Sequence, residues 1–294
     1  MLDTATPAKR SQRIAQELDH ERRKGSLRQI VIPPCPDLLT RLQAVMAQAE
    51  PDLLEMSRIA SADVAMAATL LRNANSPLYG VGQPVQTVGA AMDRLGLDQT
   101  AAVLTGFLAR HAIPVKHPQL RGFWDESSQR AAALHFMARQ LPGLVPDVAH
   151  LFGLFCHVGM PVLLQSVRGY GSTLVEAKAR VDRPFIATEN ANHRTDHAVV
   201  GALVARAWNL AEPVMSAIRL HHDLGGLGEP GTEPEVHTLV AAGLLAEHLM
   251  HRRASLEPER DWLTHGAAAL RWLQLGEDEL ADWTQQLDAV LDAL

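Results

Sequence analysis

Apolar residues recur at the spacing of an α-helix along nearly the whole chain, whereas the strict alternation of a β-strand is almost nowhere found. Leu38, Leu42, Val45 and Met46, for example, fall at i, i+4, i+7 and i+8, which is one face of a buried helix. Proline, glycine and asparagine divide the pattern into short segments. The chain is therefore predicted to fold as an all-α protein, a multi-helix bundle.

Breaks in the helical pattern divide the chain into four segments. Prolines at 33 and 34 follow an extended lead-in, prolines at 114 and 118 mark a second boundary, and the glycine-rich run 225–231 marks a third. We expect a basic N-terminal helical arm, an N-terminal helical subdomain, a second helical subdomain and a C-terminal helical extension. Their predicted ranges are 1–27, 28–115, 116–223 and 224–294.

Several helix starts are predicted from capping residues. Asp52 and Asp63 precede apolar runs and are plausible N-caps, because a short side-chain oxygen can accept a hydrogen bond from a free N–H of the first turn. Thr173 with Glu176 has the spacing of a capping box. Thr195 is predicted to cap the helix that contains His197.

Composition argues for a globular protein in a reducing compartment. The 294 residues are 47% hydrophobic and 20% charged, and the net charge of -6 favours neither nucleic acid nor an acidic membrane as a partner. The two cysteines, Cys35 and Cys156, do not make a disulfide framework. We see no stretch of the roughly 18 apolar residues that a membrane helix needs. These observations predict a cytoplasmic protein without a membrane segment.

The N-terminus departs from this acidic balance. A first helix is expected to start at Thr6-Pro7 and to end at Gly25, with a thin apolar face of Ile14 and Leu18. It either packs on the rest of the molecule or forms a loose arm. Its basic residues could bind an acidic partner or nucleic acid, although a solvated helix face is the plainer interpretation. These residues are Lys9, Arg10, Arg13, Arg22, Arg23 and Lys24.

Fourteen histidines are present, and a few stand at suggestive places. His157 lies between Cys156 and Val158, His197 lies at a predicted helix start, and His221 and His222 are adjacent. Neutral imidazole is a common metal ligand, but a single histidine in a helical protein is more often a hydrogen-bonded core residue. The residues alone leave both interpretations open.

Ordered sequence blocks carry a resemblance to a known family. The most specific are the Asn75-Ser76 pair and the series His197-x-x-x-Gly201, Trp208 and His221-His222. On these blocks the chain resembles the HD-related output domain (HDOD) family, bacterial relatives of the HD phosphohydrolases, over about residues 28–223. The blocks are 32–36, 60–76, 90–96, 123–128, 151–159 and 189–222.

The resemblance implies an HD-like helical fold with a departure at its metal site. In catalytic relatives a His-Asp pair and further histidines hold divalent metal, and here Val158 follows His157 in place of the aspartate. Glu126 stands near the place of the leading ligand, and Glu247 is an ambiguous substitute for a late aspartate. The implied vestigial ligands are His157, His197, His221, His222 and Glu126. We expect no bound metal, and we expect Asp196 and Asp223 to be local hydrogen-bond partners of the old ligands.

Three functions are therefore weighed. The first is a non-catalytic signal-transduction module that acts by protein contact, with a homodimer and a nucleotide ligand as further candidates. The second is a metal-dependent phosphohydrolase or phosphodiesterase with a remodelled site. The third is binding of an acidic partner or nucleic acid through the arm. Restoring the aspartate with Val158→Asp should raise metal affinity only if the remaining ligands converge.

Overall fold

The computed structural model describes residues 10–23, 25–80 and 82–292, and these residues form α-helices and short 3-10 turns without a strand. The all-α prediction is confirmed. The first helices are α1 (Arg10–Arg23), α2 (Asp37–Met46), α3 (Leu53–Ala60), α4 (Val64–Ala74), α5 (Val88–Leu95), α6 (Leu97–Ala112), α7 (Phe123–Ala138) and α8 (Pro146–Phe155). The remaining helices are α9 (Gly159–Ser166), α10 (Tyr170–Ala179), α11 (Phe185–His193), α12 (His197–Ala207), α13 (Glu212–Leu220), α14 (Pro234–Arg253), α15 (Arg260–Leu273) and α16 (Glu277–Leu291).

Capping side chains account for several helix starts. Asp52 accepts hydrogen bonds from the first turn of α3, and Asp63 does the same for α4, which confirms both predictions. Two others are wrong. Thr173 lies inside α10, which begins after Gly169, so it cannot form a capping box with Glu176. The N-cap of α12 is Asp196 and not Thr195, because the Asp196 carboxylate accepts from the Val199 N–H at 2.9 Å.

The predicted subdomains contribute to one continuous core. Helix α6 packs on α2, α4 and α5, and it also contacts α8. Helix α14 of the C-terminal segment packs on α7, α8, α13 and α15, and its buried side chains belong to the same cluster of core residues. The segment after residue 224 therefore helps to build the centre of the molecule.

Two glycines permit very close helix contacts. A Cβ atom built on Gly153 of α8 would lie 2.8 Å from the backbone of Ala131 in α7. A Cβ built on Gly159 of α9 would lie 2.0 Å from the carbonyl oxygen of His197. Only glycine fits at such distances, so these positions set how closely α8 and α9 approach α7 and α12.

Helix α1 packs on α12 and α13. Of the two alternatives for the first helix, it therefore packs on the rest of the molecule and does not form a loose arm. Ile14 and Leu18 are buried, and Arg206 donates hydrogen bonds to the Ala15 carbonyl and to Asp19. Arg10 lies 3.5 Å from Glu17 within its own helix. The predicted start at Thr6-Pro7, and Lys9 and Lys24, lie outside the described residues.

One described segment, Pro146–Ser166, is long and apolar enough to cross a membrane, contrary to our expectation from the sequence. In the fold, 72% of its apolar window is buried inside the protein. The segment is also two helices, α8 and α9, separated by a turn at residues 156–158. Its composition is therefore explained by its place in the core.

Candidate metal centre

Four histidines from three parts of the chain converge on one point. His157 lies in the turn between α8 and α9, His197 is the first residue of α12, and His221 and His222 directly follow α13. One ring nitrogen from each histidine lies within 4.8 Å of those of the other three. The ring centroid of His157 lies 5.2 Å from that of His197 and 5.2 Å from that of His221. The structure thus assembles all four histidines that the sequence singled out.

Three of the rings are held in one tautomer by an acceptor at Nδ1. A carboxylate or a backbone carbonyl can only accept, so in each pair the Nδ1–H donates and the neutral ring has its lone pair on Nε2. Metal-binding histidines are oriented by the same kind of contact. The pairs are His197 with Glu189 Oε2, His221 with the Ile218 carbonyl and His222 with Asp261 Oδ2, each at 2.7 Å.

The Nε2 atoms of these three rings face one another. Nε2 of His197 lies 3.1 Å from that of His221 and 3.2 Å from that of His222. Neutral rings would direct lone pairs at each other, which is unfavourable unless a proton or a cation lies between them. Zinc–nitrogen bonds of 2.0–2.1 Å place tetrahedral ligands roughly 3.3–3.4 Å apart, close to these separations. The three rings therefore fit one transition-metal ion.

His157 has a different environment from the other three histidines. Its Nε2 lies 3.1 Å from Oε1 of Glu247, and the same carboxylate oxygen lies 3.1 Å from Nε of Arg130. Among the described residues, none offers these three buried atoms a well-directed hydrogen bond. The second half of the centre is thus a compact group of an imidazole, a carboxylate and a guanidinium.

Burial and neighbouring charges set the protonation of the centre. Burial, and then the adjacent histidines, hold the pKa of His221 well below its ordinary value. Burial and Arg130 lower the pKa of His157 to about 3, so this ring is neutral near pH 7. Burial opposes a charge on His222 too, but the hydrogen bond to Asp261 and the nearby carboxylate charges together outweigh it and raise the pKa of His222. Burial would likewise raise the pKa of Glu247, but His157 and Arg130 hold it below its usual range.

The leading-ligand prediction needs correction. Glu126 is exposed on α7, and it joins neither group of potential ligands found in the described part of the chain. The α7 side chain that reaches the centre is Arg130, four residues and about one turn later. A cation therefore lies where the resemblance led us to expect a carboxylate ligand.

The expected hydrogen-bond partners also differ. Asp196 caps α12 and accepts from Asn190, while Asp223 is largely exposed and lies 3.9 Å from Arg10. The carboxylates that accept hydrogen bonds from the rings are Glu189, beside His197, and Asp261, beside His222. Glu189 appeared in the resemblance without a role, and Asp261 lies in the C-terminal segment, which carries no family motif.

Glu247, the ambiguous substitute for the late aspartate, does lie at the centre, beside His157. Val158 is fully buried and directly precedes α9. Its side chain has no lone pair, so it cannot replace a bridging carboxylate between two metal ions. The residues present therefore fit one ion at the three Nε2 atoms, and they do not fit the two-metal arrangement.

Solvent approaches the centre from one described cavity. This space of about 560 Å³ lies between α1, α11, α12 and α13, and its lining includes Leu18, Asn190, Arg219 and His222. His197 is fully buried and His221 is 8% exposed, so His222 is the ring of this trio that borders the cavity.

A second group of buried histidines lies where α6, α7 and α8 meet. Nδ1 of His135 lies 4.0 Å from Asp147, and Nδ1 of His150 lies 3.5 Å from the Gln99 amide nitrogen. The Tyr79 ring packs edge-on against that of His135. Several buried polar atoms of this group have no hydrogen-bond partner among the described residues. They are Ser76 Oγ, Tyr79 Oη, Gln99 Oε1 and His135 Nδ1.

Comparison with known proteins agrees with this fold and with the motif blocks. The HDOD domain family model matches residues 32–224. An uncharacterized protein of Treponema pallidum (strain Nichols) is 24% identical over 220 residues, which are 74% of this chain and 42% of that protein. This chain therefore spans less than half the length of that relative.

Two solved structures share the fold. A suggested signal transduction protein from Marinobacter aquaeolei VT8 has a TM-score of 0.70 at 17% identity, over 99% of this chain and 66% of that one. A suggested phosphohydrolase from Shewanella amazonensis SB2B has a TM-score of 0.69 at 19% identity, over 95% of this chain and 96% of that one. At such identities the likeness establishes the helical architecture alone.

Proposed function

Because this chain belongs to the HDOD domain family, we propose that it is a signalling module that acts by protein contact and does not hydrolyse phosphoesters. The observation that carries this proposal is the occupation of the second half of the centre by Arg130, paired with Glu247 beside His157. A site for phosphoester hydrolysis would need a metal ion and an activated water at this place. Here the guanidinium of Arg130 already neutralises the Glu247 carboxylate.

Two further features support the proposal. Val158 leaves the position of the bridging carboxylate apolar. The His197 ring is fully buried, and the cavity beside the centre borders only the edge ring, His222, of the anchored trio. A phosphoester that entered this cavity would therefore meet His222 but neither of the other two rings.

A metal-dependent phosphohydrolase with a remodelled site is the second candidate, favoured by the convergence of three Nε2 atoms. His197, His221 and His222 would hold one divalent ion. Such an ion supplies Lewis acidity and lowers the pKa of a bound water. Glu189 and Asp261 would fix the orientations of the His197 and His222 rings in that state, as they do in the present structure.

One experiment separates the two candidates. The full chain, purified without chelator and supplied in turn with Mn²⁺, Zn²⁺ and Fe²⁺, is assayed with bis(p-nitrophenyl) phosphate beside a His197→Gln variant. We expect the two proteins to give the same background rate with every metal. Turnover that the wild type shows and the variant lacks would establish the hydrolase and contradict the non-catalytic proposal.

Identification of a partner protein tests the proposal that this chain acts by protein contact. Cross-linking in the source cells through a photoreactive residue placed at exposed positions such as Leu256 or Leu263 should capture a defined protein. That protein, once purified, should bind the wild type and the His197→Gln variant with equal affinity. Cross-linking only to scattered abundant proteins, with no binding by any of them in purified form, would contradict a contact-based role.

A further inference from the structure

The Arg130 side chain is enclosed between three helices. It projects from α7, its Nε lies 3.1 Å from Glu247 Oε1 on α14, and its Nη1 donates to the Gly153 carbonyl on α8 at 3.4 Å. The side chain is 7% exposed. At the same glycine, α8 comes close to the α7 backbone at Arg130 and Ala131.

Metal-binding atoms surround the Arg130–Glu247 pair. Cys156 Sγ, a ring nitrogen of His157 and a carboxylate oxygen of Glu247 lie within 4.8 Å of one another. Thiolate, imidazole and carboxylate are the three kinds of ligand that Zn²⁺ takes in proteins. These residues could form a cation site distinct from the three anchored Nε2 atoms.

Charge decides whether an ion can enter. A buried carboxylate needs a countercharge, and the guanidinium is one that stays protonated throughout the working pH range. A divalent ion beside Glu247 would be repelled by the guanidinium at contact distance, where the low dielectric strengthens the repulsion. Arg130 and a metal ion are therefore competitors for the same carboxylate.

We propose that Arg130 is the resident cation of this half of the centre, where it neutralises Glu247 and keeps divalent metal off Cys156, His157 and Glu247. The proposal extends beyond the non-catalytic function and is judged separately. Its readout is how much metal the chain binds, whereas the proposed function is judged by turnover.

Zinc stoichiometry of the full chain tests the proposal. Isothermal titration with Zn²⁺ is run on the wild type, on Arg130→Met, which keeps the bulk without the charge, and on Arg130→Lys, which keeps the charge. We expect the Met variant to bind one equivalent more than the wild type, and the Lys variant to match the wild type. The extra equivalent should disappear in the Arg130→Met, Glu247→Gln double variant.

Cobalt substitution identifies the ligands. Co²⁺ bound to a thiolate gives a near-ultraviolet charge-transfer band, which we expect in Arg130→Met and not in the wild type or in Arg130→Met, Cys156→Ser. Should Arg130→Met fail to fold by circular dichroism, Arg130→Gln replaces it, because its amide can still donate to Glu247 or Gly153. Recovery of fold by either variant on addition of Zn²⁺ supports the proposal.

Two results would overturn it. The first is equal zinc uptake by the wild type and the folded, uncharged variants. The second is a cobalt–thiolate band in the wild type, which would mean that Arg130 does not exclude metal from Cys156.

Discussion

The two groups of buried histidines differ in how their rings are held. In the histidine centre, three rings each donate from Nδ1 to an acceptor at 2.7 Å, and their Nε2 atoms face one another at 3.1 and 3.2 Å. In the group around His135 and His150, Nδ1 of His135 lies 4.0 Å from Asp147, Nδ1 of His150 lies 3.5 Å from the Gln99 amide nitrogen, and several polar atoms lack a described partner.

The difference shows what turns buried histidines into a binding site. Both groups are buried, and both lie where several helices meet. An acceptor on Nδ1 fixes the ring and leaves the lone pair of Nε2 free for a ligand. Where such acceptors are missing, burial only disfavours the charged ring. Ring orientation by neighbouring acceptors, and not histidine content, therefore separates the candidate site from ordinary core.

The largest expected effect concerns metal affinity. His197→Gln removes the ring that contacts both other Nε2 atoms, and we expect affinity for Zn²⁺ to fall on the order of 100-fold or more, beyond the 10–100-fold typical of losing an orienting partner. His135→Gln is the matched control and should leave zinc affinity unchanged. Competition titration with a chromophoric chelator measures both. An equal loss in the two variants would break the contrast between the groups.

The next effect concerns stability at low pH. Burial lowers the pKa of His135 to about 4 and that of His150 to about 3, whereas an unfolded histidine titrates near 6.5. Below pH 6.5 the unfolded chain binds more protons, so each ring costs up to about 1.4 kcal/mol of stability per pH unit as the pH falls. Asp147 acts in the opposite direction below about pH 6, because burial raises its pKa to about 6.

Urea unfolding of the wild type and of His150→Gln between pH 7 and 4.5 measures this effect. The free energy of unfolding of the variant should fall less steeply below pH 6.5. The difference in slope should be roughly the contribution of one histidine, up to about 1.4 kcal/mol per pH unit. Parallel curves for the two proteins would show that His150 takes up a proton in the folded state and is less isolated than the structure indicates.

A smaller effect on zinc affinity is expected when the carboxylate that orients a histidine ring loses its charge. Asp261→Asn keeps an oxygen that can accept from Nδ1 of His222 but removes the charge, and we expect zinc affinity to fall about tenfold, at the low end for such partners. Asp147→Asn, the corresponding change beside His135, should not alter zinc affinity. Calorimetry on both variants makes the comparison. Unchanged affinity in Asp261→Asn would mean that His222 is not a ligand.

The smallest effect is expected at Glu126. Because this residue is exposed on α7, Glu126→Gln should change neither zinc affinity nor, beyond about 0.5 kcal/mol, the free energy of unfolding. Calorimetry and urea unfolding supply the measurements. A marked loss of zinc affinity would restore Glu126 as a ligand and remove the reason for assigning its place to Arg130.

Much of the local structure could be predicted from the sequence. Asp52 and Asp63 reveal helix starts because an N-cap acts within three residues of itself. The prediction at Thr195 failed by one residue, because Asp196 beside it is also a good cap and the sequence does not show which of the two faces the first turn. Local chemistry fixes such positions to within about a residue.

The composition of the centre was only partly predictable. Spacing and family resemblance singled out the four histidines, but Arg130 reaches Glu247 across 117 positions of sequence, which is the difference between the two residue numbers. Asp261 likewise meets His222 from a separate helix, 39 positions away. No local pattern marks such contacts, because they depend on how α7, α14 and α15 pack. The sequence therefore indicated the ligands better than the residues that orient and neutralise them.

The contact at Gly159 bears on how a protein of this kind can change over generations. We expect the helices to keep their positions when a histidine of the centre is exchanged for another polar residue. Any side chain at Gly159 would collide with the His197 carbonyl, since even a methyl group would lie 2.0 Å from it. We therefore expect related proteins that have lost all four histidines to retain this glycine. In such proteins it would be the remaining sign of common descent at this place.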